Sequence, residues 1–353
     1  MIAPFVHNGL PGRVVFGPGR LAAAGEEVEA LGKSALVLST PGQEQMGRDL
    51  AAQLGSLAAG VFPGAAMHTP TDVTAKAMAA LKESGADVLV SIGGGSTVGL
   101  GKALALRTDL PHLAIATTYA GSEMTPIIGQ TENGVKTTQR DMKILPETVI
   151  YDPDLTHGLP VDVSAASGLN AIAHSVEGLY SRDGNPVISL MAEEGVRALA
   201  AALPGIAADP TDPEARTGAL YGAWLCGVVL SLAGMALHHK LCHTLGGSFN
   251  LPHAQTHAIV LPYALAYNAP GAPDAVAALR RALGANDPAL RLWEIGRQTG
   301  VPHGLKALGM QQADVAKAAD IAAQNPYWNP VPVEREAIEI LIARAWEGSP
   351  PQS

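Results

Sequence analysis

Cysteine is nearly missing from this sequence. Cys226 and Cys242 are the two in 353 residues and no CxxC pair occurs, which excludes a disulfide framework and a cysteine-built zinc site. Clustered basic charge is missing as well. The formal net charge is -9, with 23 Lys and Arg against 32 Asp and Glu, so nothing marks the chain for a nucleic-acid backbone or an anionic membrane surface. The N-terminal MIAPFVHNGLPGR lacks the basic region, apolar run and small-residue cleavage site of a secretory signal, and a cytoplasmic location is expected. No internal repeat or low-complexity tract is visible. One stretch, 217–237, holds no charged residue over a membrane-spanning length. Its glycines Gly218, Gly222, Gly227 and Gly234, the single Arg216 ahead of it and the histidine-dense segment behind it favour a buried helix over a span.

What is present suffices for a large core: 47% of residues are hydrophobic and 16% charged, over a length that suits two domains. In the first half, runs at 35–39, 87–92, 113–117 and 148–151 read as strands. Between them 43–54 and 72–84 space apolar residues as helices do, with Thr71 and Asp72 as candidate N-caps. Such alternation builds a parallel sheet covered by helices. Beyond Asp152 and Pro153 the strand signals stop, and 163–180, 187–202, 214–243, 274–283, 290–299, 313–323 and 333–346 read as successive helices. Asp152, Pro153, Gly158 and Pro160 interrupt both periodicities. The expectation is an α/β domain over 1–157 followed by an all-helical domain over 158–353.

The segment DVLVSIGGGSTVGLGKA sets Gly93, Gly94, Gly95 and Ser96 between a strand and a helix expected to begin near Thr97. Without Cβ atoms the glycines let backbone approach a pyrophosphate, and a helix N-terminus offers unpaired N–H groups with a partial positive charge. A Rossmann-like dinucleotide site follows. In AIATTYAGSEMT, Thr117, Thr118 and Ser122 stand at the carboxyl edge of the same sheet, where open α/β sheets bind ligands. Taken singly each hydroxyl reads as a turn cap; their position beside GGGS favours a ligand. Ser39, in LVLSTPG, occupies the strand end where many dinucleotide folds carry an acidic residue on the adenosine ribose. With no carboxylate there a 2′-phosphate is not repelled, so NADH and NADPH are both expected to serve.

Histidine is where the second half concentrates its chemistry. Asn170 and His174 in GLNAIAHSVEG, and His239 and His243 in HHKLCHTLGG, are pairs four apart that project from one helix face. His253 follows in NLPHAQTH, with His238 and His257 nearby. Six of the 11 histidines thus fall in helical segments flanked by apolar residues. A lone histidine on such a face is usually structural, an even alternative for His238 and His257 taken individually. The set 239, 243 and 253 reads as a site.

The order GGGS, then TT and SE, then an amide four before a His, then HxxxH and PH resembles the iron-containing alcohol dehydrogenase superfamily over nearly the whole chain. The resemblance implies a dinucleotide domain joined to a helical one, dehydroquinate synthase-like, with a divalent metal held by an Asp and three His at positions matching Asn170, His174, His239 and His253. Asn170 departs from that pattern: a neutral amide stands where the only anionic ligand would be. Three imidazoles can still bind zinc. Gly99 in place of an Asp, the shortened TTYAGSEMT segment and NPYWNP at 325–330 are similar to the maleylacetate reductase branch, whereas Val331 stands where that branch leads one to expect a basic residue.

This branch implies NAD(P)H-dependent reduction of the C=C bond of 2-maleylacetate to 3-oxoadipate in aromatic-compound catabolism, by a homodimer, with no metal expected. His243 is the expected proton donor, with His239 and His253 completing the catalytic set. Asn170, His174, Tyr327 and Lys136 are the expected substrate contacts, with Lys143 a second candidate for the carboxylates. Two other readings stand beside it: a metal-dependent alcohol or polyol dehydrogenase in which Asn170 is a neutral ligand, and a non-catalytic dinucleotide-binding protein. Lyase chemistry on a sugar phosphate would need basic residues that the helical half lacks.

Overall fold

The computed structural model describes residues 5–10, 12–324 and 326–352. They form two compact units, one spanning Gly9–His157 and the other beginning at Gly158 and taking in residues 5–8. The first unit runs β1 (Arg13–Phe16), α1 (Ala24–Leu31), β2 (Ala35–Leu38), α2 (Glu44–Leu54), β3 (Ala58–Phe62), α3 (Thr71–Ser84), β4 (Val88–Gly93), α4 (Gly95–Thr108), β5 (His112–Ala116), β6 (Ile127–Glu132), β7 (Val135–Arg140) and β8 (Thr148–Tyr151). Six strands pair in parallel in the order β1-β8-β5-β4-β2-β3. Strands buried on both faces read as unbroken apolar runs, as β2 (ALVL) and β4 (VLVSIG) do. Alternation sorts their side chains. Ala35, Val37, Val88, Val90 and Ile92 pack with Ala24 and Val28 of α1 and with Leu50 and Leu54 of α2. Leu36, Leu38 and Leu89 pack on the opposite face with Ala77 and Leu81 of α3 and with Leu100 and Leu104 of α4. From β2 the chain steps outward to β3 and then returns past β2 to β4. The carboxyl ends of β2 and β4 therefore flank the switch point at which such sheets take ligands.

Two sheet strands, β1 and β3, escape the sequence reading because neither is a buried apolar run: Arg13 is exposed and all of β3 is only partly buried. The antiparallel β6–β7 hairpin is not among the expected strands. Its turn is Asn133-Gly134, both in the left-handed region with φ 49° and 78°, the pair a two-residue hairpin turn requires. Neither Thr71 nor Asp72 caps α3: Pro70 precedes the helix and both lie in its first turn. Helix α4 starts at Gly95, two residues ahead of Thr97.

The second unit runs α5 (Val161–Leu179), α6 (Pro186–Ala208), α7 (Pro213–Leu232), α8 (Leu237–Phe249), α9 (His253–Asn268), α10 (Pro273–Leu283), α11 (Pro288–Gln298), α12 (Asp314–Ala323) and α13 (Arg335–Glu347). The expected single helix over 214–243 is two helices, broken between Leu232 and Leu237. Helix α9 was not foreseen, because Pro262 lies inside it. α5 is the central element, buried from residue 164 to 178 and packed on α6, α7 and α9.

The uncharged stretch lies mostly in α7, the one described helix long and apolar enough to cross a membrane, with 56% of its apolar window buried inside the fold. Gly222 serves packing: a Cβ there would meet Leu199 Cγ at 2.8 Å and the Gly195 carbonyl oxygen at 2.9 Å, so only glycine lets α6 and α7 approach this closely at that point. Arg216 is no headgroup anchor. Wholly enclosed, it donates to the Pro210 and Leu159 carbonyls and to Ser164 Oγ, each at 2.8 Å.

Candidate functional site

The switch point of the first unit is built from backbone. Gly93 ends β4 with φ 152°, and a Cβ there would lie 2.5 Å from Thr97 Oγ1. A Cβ on Gly94 would lie 2.8 Å from Thr118 Cγ2, while one on Gly95 would only touch Ser122 Oγ at 3.8 Å. The turn thus requires glycine at its first two positions and leaves its third exposed beside a hydroxyl. The Ser122 hydroxyl oxygen is buried without a hydrogen-bond partner among the described residues. α4 begins here with no side-chain cap, so its first N–H groups are available to an anion. Ser96 is half-buried in that turn and Thr118 half-buried beside it, while Thr117 is buried and accepts from Gln43 Nε2 at 3.3 Å. Gln43, from the start of α2, escaped the sequence reading because nothing local marks it. Gly99 is small because Thr69 Oγ1 lies 2.5 Å from where its Cβ would be.

Ser39 departs from expectation. It is fully enclosed, with its hydroxyl 3.0 Å from where a Gly47 Cβ would be, and an enclosed hydroxyl does not reach a ribose. Thr40, half-buried, is the next residue along the strand end.

Below that turn lies a buried ammonium. Lys102 on α4 is 1% exposed and donates to Thr125 Oγ1 at 3.0 Å, to the Ile127 carbonyl at 2.9 Å and to the Ser122 carbonyl at 2.5 Å. Burial lowers its pKa to about 7, against the raising influence of Glu123. Three acceptors match three ammonium hydrogens, so the geometry argues for the charged form. The same bonds tie down the segment that carries Ser122.

In the second unit the site is built from side chains. Ser167, Asn170, His174 and Glu177 lie three or four apart and form a polar seam along an otherwise apolar α5. Glu177, wholly buried, accepts from the His238 N–H at 2.7 Å, the Ala236 N–H at 3.0 Å and His239 Nδ1 at 2.6 Å. α8 has no side-chain cap of its own. A carboxylate from α5 does that work at the positive end of the helix. It also fixes the tautomer: with the proton on Nδ1, His239 Nε2 faces His174 Nδ1 as an acceptor at 3.0 Å. Glu177 was missed by sequence reasoning, although its spacing of seven from Asn170 and three from His174 was a readable signal.

His238 lies deeper, with Nε2 3.1 Å from His257 Nδ1 and 3.7 Å from Cys242 Sγ. Burial first, then the neighbouring imidazoles, holds both His238 and His257 well below the usual histidine pKa, so they are neutral. His253 opens α9, exposed, its ring centroid 4.3 Å from that of His257. His243, one turn after His239, is exposed, and its Nδ1 lies 3.3 Å from the Tyr327 hydroxyl. Burial, then Glu177, raises the Tyr327 pKa.

Asn329 secures the segment carrying Tyr327. It exchanges amide hydrogen bonds of 2.6 and 2.9 Å with Asn268 of α9, donates to the Val331 carbonyl at 2.8 Å and accepts from the Leu237 N–H at 3.3 Å. Val331 thus contributes backbone where a basic side chain was expected. Asn325 lies outside the described residues.

Asn170, His174, His239, His243, His253 and Tyr327 therefore belong to one unit. Lys136 belongs to β7 of the other, and its side chain lies outside those described. Lys143 is exposed and paired with Asp109 at 3.3 Å, which leaves it no special claim on a substrate.

The group of His, Cys, Asp and Glu residues spaced to hold a metal ion, among the described residues, is His238, His239 and His257, whose ligand atoms lie within 4.8 Å of one another. That differs from the set implied by resemblance. Asn170 Oδ1 is buried without a partner, and a bond to Glu177 from His239 Nδ1 is the kind of support a metal-bound imidazole receives. The donors are nonetheless all neutral, and the His174–His239 hydrogen bond places a proton between two nitrogens that an ion would need to share.

Residues 11–153 match the model of the iron-containing alcohol dehydrogenases and residues 164–346 that of the Fe-containing alcohol dehydrogenase family, C-terminal. The chain is 57% identical to the maleylacetate reductase of Sphingobium indicum over 347 residues, covering 98% of this chain and 99% of that one. It is similar to the crystal structure of maleylacetate reductase from Rhizobium sp. strain MTP-10005, with TM-score 0.95, 57% identity and 99% coverage of both chains. A third similarity is to the crystal structure of maleylacetate reductase from Agrobacterium tumefaciens, with TM-score 0.96, 55% identity and coverage of 99% of this chain and 100% of that one. Matched at both ends and along both units, the chain belongs to the iron-containing alcohol dehydrogenase family, on the branch of its maleylacetate reductases.

Proposed function

We propose that this chain reduces the carbon–carbon double bond of 2-maleylacetate to 3-oxoadipate with NADH or NADPH, and that its own histidines, with no metal ion, manage the charge on the substrate. Residues 1–157 are the cofactor half in this reading and 158–353 the substrate half. The observation that carries it is Asn170: at the family's one anionic ligand position stands an uncharged amide, beside imidazoles already bonded to one another and to Glu177.

Gly93, Gly94, Gly95 and Ser96, with Thr117, Thr118 and Ser122, hold the dinucleotide through N–H and hydroxyl donors, which suits an anionic pyrophosphate. When bound, the reduced nicotinamide supplies a hydride. Addition at the alkene carbon β to the ketone moves negative charge onto the ketone oxygen, and donors fixed in advance stabilise it there. His253 and Asn170 are those donors, while His239, held in one tautomer by Glu177, takes the Nδ1 proton of His174 and so fixes the orientation of that ring. His243, exposed and touching the Tyr327 hydroxyl, delivers the proton to the α carbon, which completes 3-oxoadipate. Use of either cofactor belongs to this reading by family likeness, since the enclosed Ser39 does not reach the ribose. A cytoplasmic location and assembly with a second copy belong to the same reading by family likeness.

Exhaustive chelation of the purified protein tests this: NADH-dependent reduction of maleylacetate is expected to persist. A second reading, in which an ion sits among His238, His239 and His257, requires that activity vanish on chelation and return with zinc or iron.

A further inference from the structure

A dicarboxylate substrate must find positive charge on a chain whose net charge is -9. The helices that carry the histidine cluster supply very little: α5 and α9 contain no Lys or Arg, α8 contains only Lys240, and the segment NPYWNPV contains none. Lys240 is half-buried, makes no ion pair among the described residues, and has its Nζ 5.7 Å from the centre of the Tyr327 ring. On a helical wheel Lys240 stands about 100° round from His239 and about 60° from His243, on the same side as the exposed imidazole and away from His238. The hydroxyl of the ring beneath it meets His243 Nδ1 at 3.3 Å. Tyr327 also borders a cavity of about 330 Å³, lined further by Arg182, Asp183, Gly234, Met235 and Trp328. Lys240 is thus a cation on the His243 side of α8 that forms no ion pair among the described residues.

We infer that Lys240 is the carboxylate-binding residue of the substrate site, receiving one carboxylate of the dicarboxylate over the edge of Tyr327 while His243 faces the carbon that is protonated. The inference rests on the function proposed above. It accounts for Val331: with no basic side chain in the NPYWNPV segment, the charge comes from the helix beneath it. The aromatic face keeps the ammonium in place without neutralising it, and the half-buried setting makes an ion pair there stronger than one in open solvent.

Steady-state kinetics with maleylacetate and NADH test the assignment in wild type, Lys240→Met and Lys240→Arg, alongside NADH dissociation constants and thermal melts. Lys240→Met is expected to raise KM for maleylacetate at least tenfold, with kcat within about threefold and NADH affinity unchanged. Lys240→Arg is expected to restore KM to within about threefold of wild type. A KM in Lys240→Met within twofold of wild type overturns the inference, as does an Arg variant no better than Met. A wild-type protein that binds NADH but does not turn over maleylacetate overturns the function itself, an outcome the wild-type arm separates from failure at Lys240.

Discussion

The switch point of the first unit and the histidine cluster of the second solve different problems with different parts of the chain. The first is contiguous: four residues, 93 to 96, supply the turn and the helix start, and side chains matter there chiefly by being absent. The second is assembled from α5, α8, α9 and the segment around residue 327, and its hydrogen bonds join residues 62, 65 and 84 apart in sequence. A backbone site tolerates changes nearby as long as glycine remains. A side-chain site depends on every member holding its neighbour. Changes in the first should therefore move cofactor affinity, and changes in the second should move turnover.

The sharpest test of that division is His243→Ala. Loss of a positioned proton donor is expected to lower kcat by about two to four orders of magnitude, with NADH affinity unchanged. A kcat within about threefold of the parent would instead give proton delivery to another group or to water. Glu177→Gln comes next. The amide still accepts one backbone N–H, but its NH₂ opposes the proton on His239 Nδ1, and a fall in kcat of about one to two orders is expected. A melt close to wild type together with that fall separates tautomer control from unfolding; an unchanged kcat would contradict the role given to Glu177.

Gly94→Ala probes the other side of the comparison. The new methyl meets Thr118 Cγ2 at 2.8 Å, so NADH should bind about tenfold more weakly, roughly 1.4 kcal/mol, with kcat at saturating cofactor near the parent value. Adding Thr118→Ser, which removes that Cγ2, should recover much of the affinity. A loss in kcat instead would break the division between the two sites.

The smallest effect concerns pH. His238 and His257 have folded pKa values well below the unfolded 6.5. Their contribution to stability is complete above about pH 6.5 and is lost as pH falls below it, because the unfolded chain then binds protons that the folded one refuses. Each site adds up to about 1.4 kcal/mol per pH unit to that slope. Denaturant unfolding of His257→Asn between pH 7 and 5 should give a shallower acid limb than wild type; identical limbs would show that the buried pair is not neutral.

The same contrast explains what the sequence made legible. β2, β4, β5 and β8 announce themselves as apolar runs because both faces are covered, and GGGS marks its turn by composition alone. The histidines were visible through spacing of four on single helices, a local signal. Glu177 shares the helix face of Asn170 and His174, a local signal, but its partners 59 to 62 residues away are not written in that spacing. Asn329 and Gln43 escaped for the same reason. Ser39 was assigned by strand-end position, which cannot tell a side chain turned outward from one packed beneath α2. Periodicity misses the break after Leu232 because apolar residues continue across it, and misses α9 because Pro262, a residue that ordinarily ends a helix, lies inside it.

Central to the function proposed above is that an amide at residue 170 and a bonded set of imidazoles serve the reaction without an ion. The direct measurement is NADH oxidation with maleylacetate by chelator-treated protein whose metal content has been determined in the same sample. The expected result is undiminished formation of 3-oxoadipate, one for each NADH consumed, in protein with far less than one metal ion per chain. Turnover that tracks metal content, lost on chelation and restored by zinc or iron, would contradict it.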